Sequence, residues 1–279
     1  MKRKLMAFPV MLLMMCACGG QKQASQHDDA QADTTVVADT VKTDAEDEDF
    51  ANTPMPKAAD ELFDDFIFNF CANRKLQMER VAFPLPSVKG DHQTTISKGQ
   101  WKMEHFFMEQ GYYTLLFDNE RHMEVVKDTS VHHAVVEKIF FDTGNIQQYV
   151  FNRRRGAWML TTINTIPVNE SSNASFLNFF HQFATDKDFQ AHSLGESVHF
   201  VGPDPDDDFA QMEGEITPDT WEAFAPELPQ DMIYNIIYGD PVKEGNSKLF
   251  VLRGIANGLE LEMTFKRVGG HWQLVRIVT

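Results

Sequence analysis

Cysteine is almost absent from this chain, in which only three occur among 279 residues. Cys16 and Cys18 lie close to the N-terminus, which leaves Cys71 without a partner in the rest of the sequence. A disulfide within the body of the protein is therefore excluded. A catalytic thiol would need a nearby histidine and an electropositive setting. Because Cys71 follows Phe70 in an aromatic-rich segment, we expect a buried structural side chain.

Positive charge is also scarce. The chain has 25 Lys and Arg against 41 Asp and Glu, which gives a formal net charge of −16. A field of that sign repels nucleic acids and anionic membrane surfaces, so nucleic acid is excluded as a partner. Cations, neutral glycans, apolar ligands and basic protein patches remain. The basic run at residues 153–155 lies between two predicted strands and indicates a solvated turn or a minor anion contact.

Long apolar segments are missing as well. Residues 5–15 form an apolar run after three basic residues, with the length of a signal-peptide core and too short to cross a bilayer. The run leads into Cys16-Ala17-Cys18, which resembles the lipobox of bacterial lipoproteins. Cys18 fits as the lipidated cysteine because small Ala17 precedes it, whereas bulky Met15 makes Cys16 a poorer candidate. An ordinary cleaved secretory signal is the alternative.

Residues 18–57 have the composition of a disordered tether, rich in acidic and small polar residues and nearly free of large apolar ones. Repulsion between like charges keeps such a segment extended. We expect residues 1–17 to be a lipoprotein signal peptide and acylated Cys18 to anchor the protein in a lipid bilayer. The expected location is the cell envelope, at a bacterial membrane, with the outer membrane favoured. The membrane face and O-glycosylation of the tether stay open.

An internal repeat is the strongest pattern in the sequence. The two halves end on the same residue types in the same order, 114 positions apart. These residues are Phe151, Arg153, Gly156, Trp158, Leu160 and Ile163, and then Phe265, Arg267, Gly270, Trp272, Leu274 and Ile277. Near the start of each half, Phe63, Phe66 and Phe70 recur as Phe176, Phe179 and Phe183, 113 positions later. A repeat of about 110 residues has the size of a domain. The sequence therefore predicts two homologous domains, at residues 58–165 and 166–279.

Each half predicts one helix followed by a sheet. The phenylalanines recur at helical spacing over residues 58–74 and again from about residue 173, which favours a core-facing helix. Strands are predicted at residues 131–141, 146–152 and 157–163, and at 249–255, 259–266 and 272–278. Each short turn between them contains glycine. The predicted fold class is α+β: two tandem cone-like domains, each an N-terminal helix packed on a curved antiparallel sheet.

This layout is similar to the nuclear-transport-factor-2-like (cystatin-like) cone, and several motifs narrow the resemblance. They are the lipobox, the acidic tether, Val81-Ala82-Phe83-Pro84-Leu85, Tyr112-Tyr113, Phe117-Asp118-Asn119-Glu120, Lys127-Asp128-Thr129 and Phe151-Asn152-Arg153. Together they resemble an uncharacterised lipoprotein family of gut Gram-negative anaerobes, defined as a domain of unknown function. The resemblance covers residues 58–279 and implies a fold and a location, but transfers no catalytic residue.

The first half retains polar aromatic residues that the second half lacks. In the region of Tyr112 and Tyr113 the second half has apolar Ile236 and Ile237. We therefore expect any ligand cavity to lie in the first domain or between the domains. Its candidate ligand-binding residues are Trp101, Tyr112, Tyr113 and His133. The alternative is that these residues only pack in the core.

No metal site, cofactor or catalytic residue is expected. Adjacent histidines at positions 132–133 on a strand point to opposite faces and cannot share one metal ion. Asp204, Asp206 and Asp208 have the spacing of calcium ligands, but Phe209 stands where such a loop needs glycine. An exposed turn is the favoured interpretation of that segment.

Three functional classes follow from these patterns. The favoured one is a membrane-anchored, non-catalytic module of the cell envelope that binds a small ligand, a glycan or a partner protein. An isomerase- or dehydratase-type enzyme in one cone is the first alternative. A scaffold or assembly subunit of an envelope complex is the second. A hollow cone with a coupled histidine and carboxylate would favour the enzyme.

Overall fold

The computed structural model describes residues 60–204, 206–241 and 243–279. The predicted signal peptide, Cys18 and the tether lie outside the described residues. Within these ranges, no helix has both the length and the apolarity that a membrane span requires.

The two halves have the same succession of elements. The first half contains α1 (Phe63–Ala72), α2 (Arg74–Arg80), β1 (Leu85–Lys89), β2 (His92–Ile96), β3 (Tyr112–Phe117), β4 (His133–Phe140), β5 (Asn145–Arg154) and β6 (Ala157–Pro167). The second contains α3 (Ala174–Thr185), α4 (Lys187–His192), β7 (Leu194–Asp204), β8 (Asp207–Ile216), β9 (Met232–Tyr238), β10 (Ser247–Gly254), β11 (Glu260–Val268) and β12 (His271–Val278). Short 3₁₀ helices lie at Phe106–Met108, Glu120–Lys127, Val168–Glu170 and Pro218–Ala223. The predicted α+β class and the six predicted strands are confirmed.

The helical part of each half is divided by one capping residue. At Asn73 the backbone is extended, which ends α1, and the Asn73 side chain accepts a hydrogen bond from the Leu76 amide to begin α2. Asp186 does the same for the Phe189 amide between α3 and α4. Such a cap satisfies a backbone donor that the first helical turn leaves unpaired. The predicted single helix is therefore two short ones in each half.

The strand registers repeat with the same spacing as the sequence. Phe151 pairs with Leu160 between β5 and β6, and Phe265 pairs with Leu274 between β11 and β12. A register shift directly precedes both phenylalanines. Gly156 and Gly270 occupy the turns with φ of 84° and 86°, a conformation that glycine adopts without a side-chain clash. Trp158 and Trp272 consequently lie at equivalent positions on the last strand of each half, as predicted.

All twelve strands form one sheet, in the order β2-β1-β6-β5-β4-β9-β3-β10-β11-β12-β7-β8. The order reads the same from both ends when each strand is replaced by its counterpart in the other half. At the centre, however, β9 pairs with β4 of the first half and β3 pairs with β10 of the second. Each half thus lends one strand to the other. The prediction of two tandem cones is not confirmed, because the sheet is continuous, and the boundary at residues 165/166 stays a prediction.

Two hydrophobic cores lie on opposite faces of this sheet at its centre. Along β3, Tyr113 and Leu115 belong to the first core while Tyr112 and Leu116 pack against the second. Successive strand side chains alternate between faces, so β3 serves both cores. The largest fully buried side chains of the first core are Phe66, Phe70, Phe106, Phe107, Phe151 and Trp158. Those of the second are Phe176, Phe180, Phe183, Phe250 and Phe265. Phe63, Phe66, Phe70, Phe176, Phe183 and Cys71 are buried as predicted, whereas Phe179 is half-buried.

Candidate functional site

Trp101 has a structural partner. Its indole Nε1 donates a hydrogen bond of 3.2 Å to Gln77 Oε1. Gln77 is fully buried and donates from Nε2 to the backbone oxygens of Phe70 and Glu104, at 2.8 Å each. The side chain of Trp101 therefore closes a buried hydrogen-bond network, in which every polar group needs a partner.

The second half repeats this network. Trp221 Nε1 donates to Gln190 Oε1 at 2.9 Å, and Gln190 Nε2 donates to the Phe183 oxygen at 3.1 Å. The two glutamines are related by the 113-residue spacing, but Trp221 follows Trp101 by 120 positions. Sequence reasoning missed this pair because the loops before the tryptophans differ in length. The glutamine repeated at residues 77 and 190, and a tryptophan after each, were the sequence features that could have indicated these hydrogen-bonded pairs.

Tyr112 and Tyr113 lie on opposite faces of β3. Tyr113 is buried, and its ring centroid lies 5.1 Å from that of Phe107 and 5.8 Å from that of Phe68. Burial raises the pKa of the Tyr113 hydroxyl. Tyr112 is half-buried and lines an apolar groove described below. The predicted ligand-binding residues Trp101, Tyr112, Tyr113 and His133 are thus not brought together around one cavity.

His133 lines a cleft of about 500 Å³ on the face of the first half opposite α1. Its Nδ1 lies 2.9 Å from Asn152 Oδ1, and the Asn152 amide donates to Thr161 Oγ1 at 2.7 Å. The remaining lining includes Gln148 and Asn164. The lining also includes Val135, Val150, Ile166, Ile237, Pro241 and Glu170, so the cleft combines apolar walls with amide groups, one imidazole and one carboxylate, and its lining contains no Lys or Arg.

A second cleft, of about 640 Å³, occupies the corresponding face of the second half. Ser247, Leu249 and Thr264 line it, and they stand 114 positions after His133, Val135 and Val150 of the first cleft. The 3₁₀ helix Glu120–Lys127 of the first half borders it. Residues with fixed positive charge complete the lining: Arg121, Lys266 and Arg276. We call these two spaces the first-half cleft and the second-half cleft.

An apolar groove of about 490 Å³ lies on the α3 side of the second half, next to Tyr112. Leu252 and Leu261 form its floor. The equivalent positions in the first half are Lys138 and Gln147, 114 residues earlier. The two halves therefore differ in polarity at this place, because the first half fills it with hydrogen-bonded side chains.

Those side chains surround Glu104. The Tyr149 hydroxyl donates to Glu104 Oε2 at 2.9 Å, and Lys138 Nζ lies 3.7 Å from Glu104 Oε1. Lys138 Nζ also lies over the Tyr234 ring, 5.3 Å from its centroid. Burial and the nearby Glu104 carboxylate raise the pKa of the Tyr149 hydroxyl well above its usual range. Tyr149 is therefore a hydrogen-bond donor at neutral pH and cannot act as a base.

Glu137 is the buried carboxyl at the centre of the sheet. Gln148 Nε2 donates to its Oε1 at 3.0 Å and Asn235 Nδ2 donates to its Oε2 at 2.9 Å. Asn235 Oδ1 in turn accepts a hydrogen bond of 3.1 Å from the Leu116 amide. Burial raises the pKa of the Glu137 carboxyl, against the lowering by these two amide donors. The group links β4, β5, β9 and β3.

Among the described residues, no group of three or more His, Cys, Asp or Glu side chains converges. Asp204 Oδ1 accepts from the Asp206 amide at 2.9 Å, and Asp207 Oδ1 accepts from the Phe209 amide at 3.0 Å. These carboxylates support the turn between β7 and β8. The segment is an exposed turn, as the sequence favoured.

The predicted environment of Arg153, in the basic run at residues 153–155, is wrong. Arg153 was expected in a solvated turn, but its guanidinium lies 5.0 Å from the Trp158 ring centroid and donates to the backbone oxygens of Thr129, Asp60 and Glu61. Arg267 covers Trp272 in the same way, at 4.4 Å. A planar guanidinium can stack on an indole while its N–H groups bind oxygen atoms at the edge. Arg153 is consequently a structural residue.

Comparison with known proteins gives a family and a fold. The family described as Domain of unknown function (DUF4348) matches residues 42–279. A crystal structure of an NTF2-like protein from Bacteroides fragilis is 42% identical in sequence, with a TM-score of 0.72. The match covers 81% of this chain and 98% of that chain. No curated protein matches the sequence. The resemblance to an uncharacterised NTF2-like family is therefore confirmed.

Proposed function

The chain belongs to the DUF4348 family and has an NTF2-like fold, and on this basis we propose that it is a non-catalytic binding module of the cell envelope. Its ligand would be a small molecule or a glycan, bound in the outer clefts of the sheet. The sequence led us to expect a cavity in the first domain or between the domains, with Trp101, Tyr112, Tyr113 and His133 as candidate ligand-binding residues, and we propose the outer clefts instead.

The observation that carries this proposal is the contrast between filled interiors and open outer faces. Between α1 and the sheet, and between α3 and the sheet, aromatic side chains with no exposed surface fill the space. The first-half and second-half clefts, of about 500 and 640 Å³, have the size of small-molecule sites. Apart from the apolar groove beside Tyr112, the described interiors are packed with aromatic rings, whereas the two outer clefts can receive a ligand directly from solvent.

The chemistry of the clefts favours binding over catalysis. Catalysis by an isomerase or dehydratase needs an acid and a base that both reach the substrate. The carboxyl with the clearest environment for such a role, Glu137, is fully buried and bonded to two amide groups. Gln148 lines the first-half cleft and binds Glu137 from that side. A ligand in this cleft would therefore contact the Gln148 amide and not the Glu137 carboxyl, and the carboxyl that does line the cleft, Glu170, is an exposed residue of the 3₁₀ helix Val168–Glu170.

We propose that the two halves arose by duplication of one cone-like module, which the repeated registers and the symmetric strand order support. We further propose that acylated Cys18 anchors the protein in the membrane, with the acidic tether between anchor and fold. Such a tether would let the clefts face solvent away from the lipid headgroups.

The test is a thermal-shift screen of the full mature protein with neutral and charged saccharides, lipids and metal ions. Asn164→Trp and Thr264→Trp would block the first-half and second-half clefts, respectively, because both residues are half-buried cleft residues on strands. Gln93→Trp on the exposed edge strand β2 is the matched control. A ligand at about 100 times its Kd should stabilise wild type and control by about 2.7 kcal/mol.

Loss of that stabilisation in one blocked variant would support the proposal and identify the cleft. Equal stabilisation of both blocked variants would contradict it, as would chemical turnover of the ligand measured by mass spectrometry. Each variant's melting temperature without ligand shows whether the substitution itself has altered the fold.

A further inference from the structure

The second-half cleft concentrates positive charge in a strongly acidic protein. Arg121, Lys266 and Arg276 line it together with His199, and Glu120 is the only acidic residue of the lining. The whole chain has a formal net charge of −16, so this cleft is opposite in sign to the molecule around it. Charges of one sign in a cleft with low-dielectric walls focus the field on the space between them.

Part of this charge has no internal partner. Arg276 Nη1 lies 3.3 Å from Glu120 Oε1, and His199 Nδ1 lies 3.3 Å from Glu215 Oε1. Arg121 and Lys266 form no ion pair within the described part of the chain. Glu120 is exposed, with 67% of its side chain accessible. A ligand anion could therefore replace the exposed Glu120 on Arg276, whose charge also acts on the half-buried Glu262 carboxyl.

The first half shows that the fold does not require these cations. The residues 114 positions before Lys266 and Arg276 are Asn152 and Thr162. Asn152 binds His133 and Thr161 within its own half, as described above. The register of β5 with β6 matches that of β11 with β12, although only the second-half cleft has fixed positive charge at these places. The strand pairing therefore does not require Lys266 and Arg276, and their positive charge is specific to the second-half cleft.

We propose that the second-half cleft binds an acidic saccharide, a sugar that bears a carboxylate. This inference rests on the proposed binding function and names its ligand class. The guanidinium of Arg276, with Arg121 and Lys266, would hold the carboxylate, since guanidinium groups bind carboxylates through paired hydrogen bonds. Ser247, Thr264 and Asn119 would bind the sugar hydroxyl groups. A volume of about 640 Å³ accommodates one or two sugar rings.

Isothermal titration of the full mature protein with D-glucuronate, D-glucose and inorganic phosphate tests this assignment. Lys266→Asn and Arg276→Thr introduce the residues of the first half, so both side chains are compatible with the same strand positions. Arg154→Gln removes one positive charge from an exposed residue at the end of β5 and is the matched control. Lys266 is exposed and Arg276 is half-buried, so both variants should retain the wild-type melting temperature.

The expected result is glucuronate binding to wild type and to Arg154→Gln, weakened about tenfold or more by each cleft substitution, because each loses a charge-assisted hydrogen bond. Binding should also weaken with added salt. Equal glucuronate affinity in wild type and the double variant would overturn the proposal, as would no binding of glucuronate at all. If glucose bound and glucuronate did not, the proposal of an acidic ligand would be wrong, whereas the proposed binding function would stand. If phosphate bound as tightly as glucuronate, the cleft would be a simple anion site, and the proposal of a saccharide ligand would be wrong.

Discussion

Tyr112 and Tyr113 show how strongly one position along a strand changes the role of a side chain. The two residues are adjacent in β3, but Tyr113 is buried between Phe68 and Phe107, whereas Tyr112 borders an open groove. An aromatic side chain in a packed core contributes through the apolar area that it removes from water and through ring contacts. Tyr113 therefore stabilises the first core, and removing its ring should lower the free energy of unfolding.

We predict that Tyr113→Ala lowers the free energy of unfolding by about 3 kcal/mol, because it leaves a cavity among aromatic rings. Tyr112→Ala should cost about 1 kcal/mol, since half of its surface is already in contact with water. Urea denaturation of both variants and wild type measures the difference. Similar losses in the two variants would show that Tyr113 does not have the buried environment described above.

At the scale of elements, the central feature is the exchange of β3 and β9 between the halves. The exchange is fixed by polar contacts as well as by the strand ladders. Asn235 on β9 binds Glu137 on β4 and the Leu116 amide on β3, and Thr114 Oγ1 donates to the Tyr234 oxygen at 2.8 Å. Buried polar groups such as these disfavour a shifted register, which would leave them without partners.

The Glu137 carboxyl makes this junction sensitive to pH. Burial raises its pKa in the folded state, whereas in the unfolded chain the pKa is about 4.3. Folding therefore favours the protonated form, and wild type loses this contribution as the pH rises from the unfolded pKa through the folded one. Glu137→Gln keeps a neutral side chain with an oxygen for Asn235, so it should not show this loss.

We predict that Glu137→Gln is more stable than wild type at pH 7 and that this advantage shrinks as the pH falls through the raised pKa of Glu137. Chemical denaturation at several pH values gives the difference. Glu79→Gln, an exposed residue of α2, carries the same change of charge and is the control. An advantage of Glu137→Gln that does not depend on pH would contradict the raised pKa of Glu137.

At the scale of the whole molecule, one sheet joins two cores, and each half depends on a strand from the other. Tyr238 of β9 donates its hydroxyl hydrogen bond to Asp64 of α1, and Phe63 and Tyr238 rings lie 6.1 Å apart. The first core is therefore completed by residues more than a hundred positions away. We expect the two halves to fold together, because neither half contains a complete set of strands for its own core.

We predict that Cys18→Ala releases the protein from membranes into the soluble fraction, because the variant could not carry the acyl chains that we propose as the anchor. Cys16→Ala is the matched control and should stay with the membranes. Fractionation after a high-pH wash, followed by immunoblotting, measures the distribution. Retention of Cys18→Ala in the membrane fraction would contradict the lipoprotein assignment.

The sequence by itself determined the local structure, and the repeat shows why. Helices around Phe66 and Phe176, strands ending at Trp158 and Trp272 and the glycine turns between strands all depend on residues close together in the chain. Periodicity and turn chemistry report such short-range preferences directly. The burial of Cys71 followed from the same local pattern.

Only the tertiary structure decided which strands pair and which residues share a cleft. The exchange of β3 and β9 depends on contacts between distant segments, in a region where the repeat spacing changes from 113 to 120 and then to 114. Arg121 and Arg276 come from opposite halves and meet only because β3 lies beside β10. The predicted ligand-binding residues were separated for the same reason, because strand alternation places Tyr112 and Tyr113 on different faces. Short-range patterns carry no information on long-range pairing, which depends on the free energy of the complete fold.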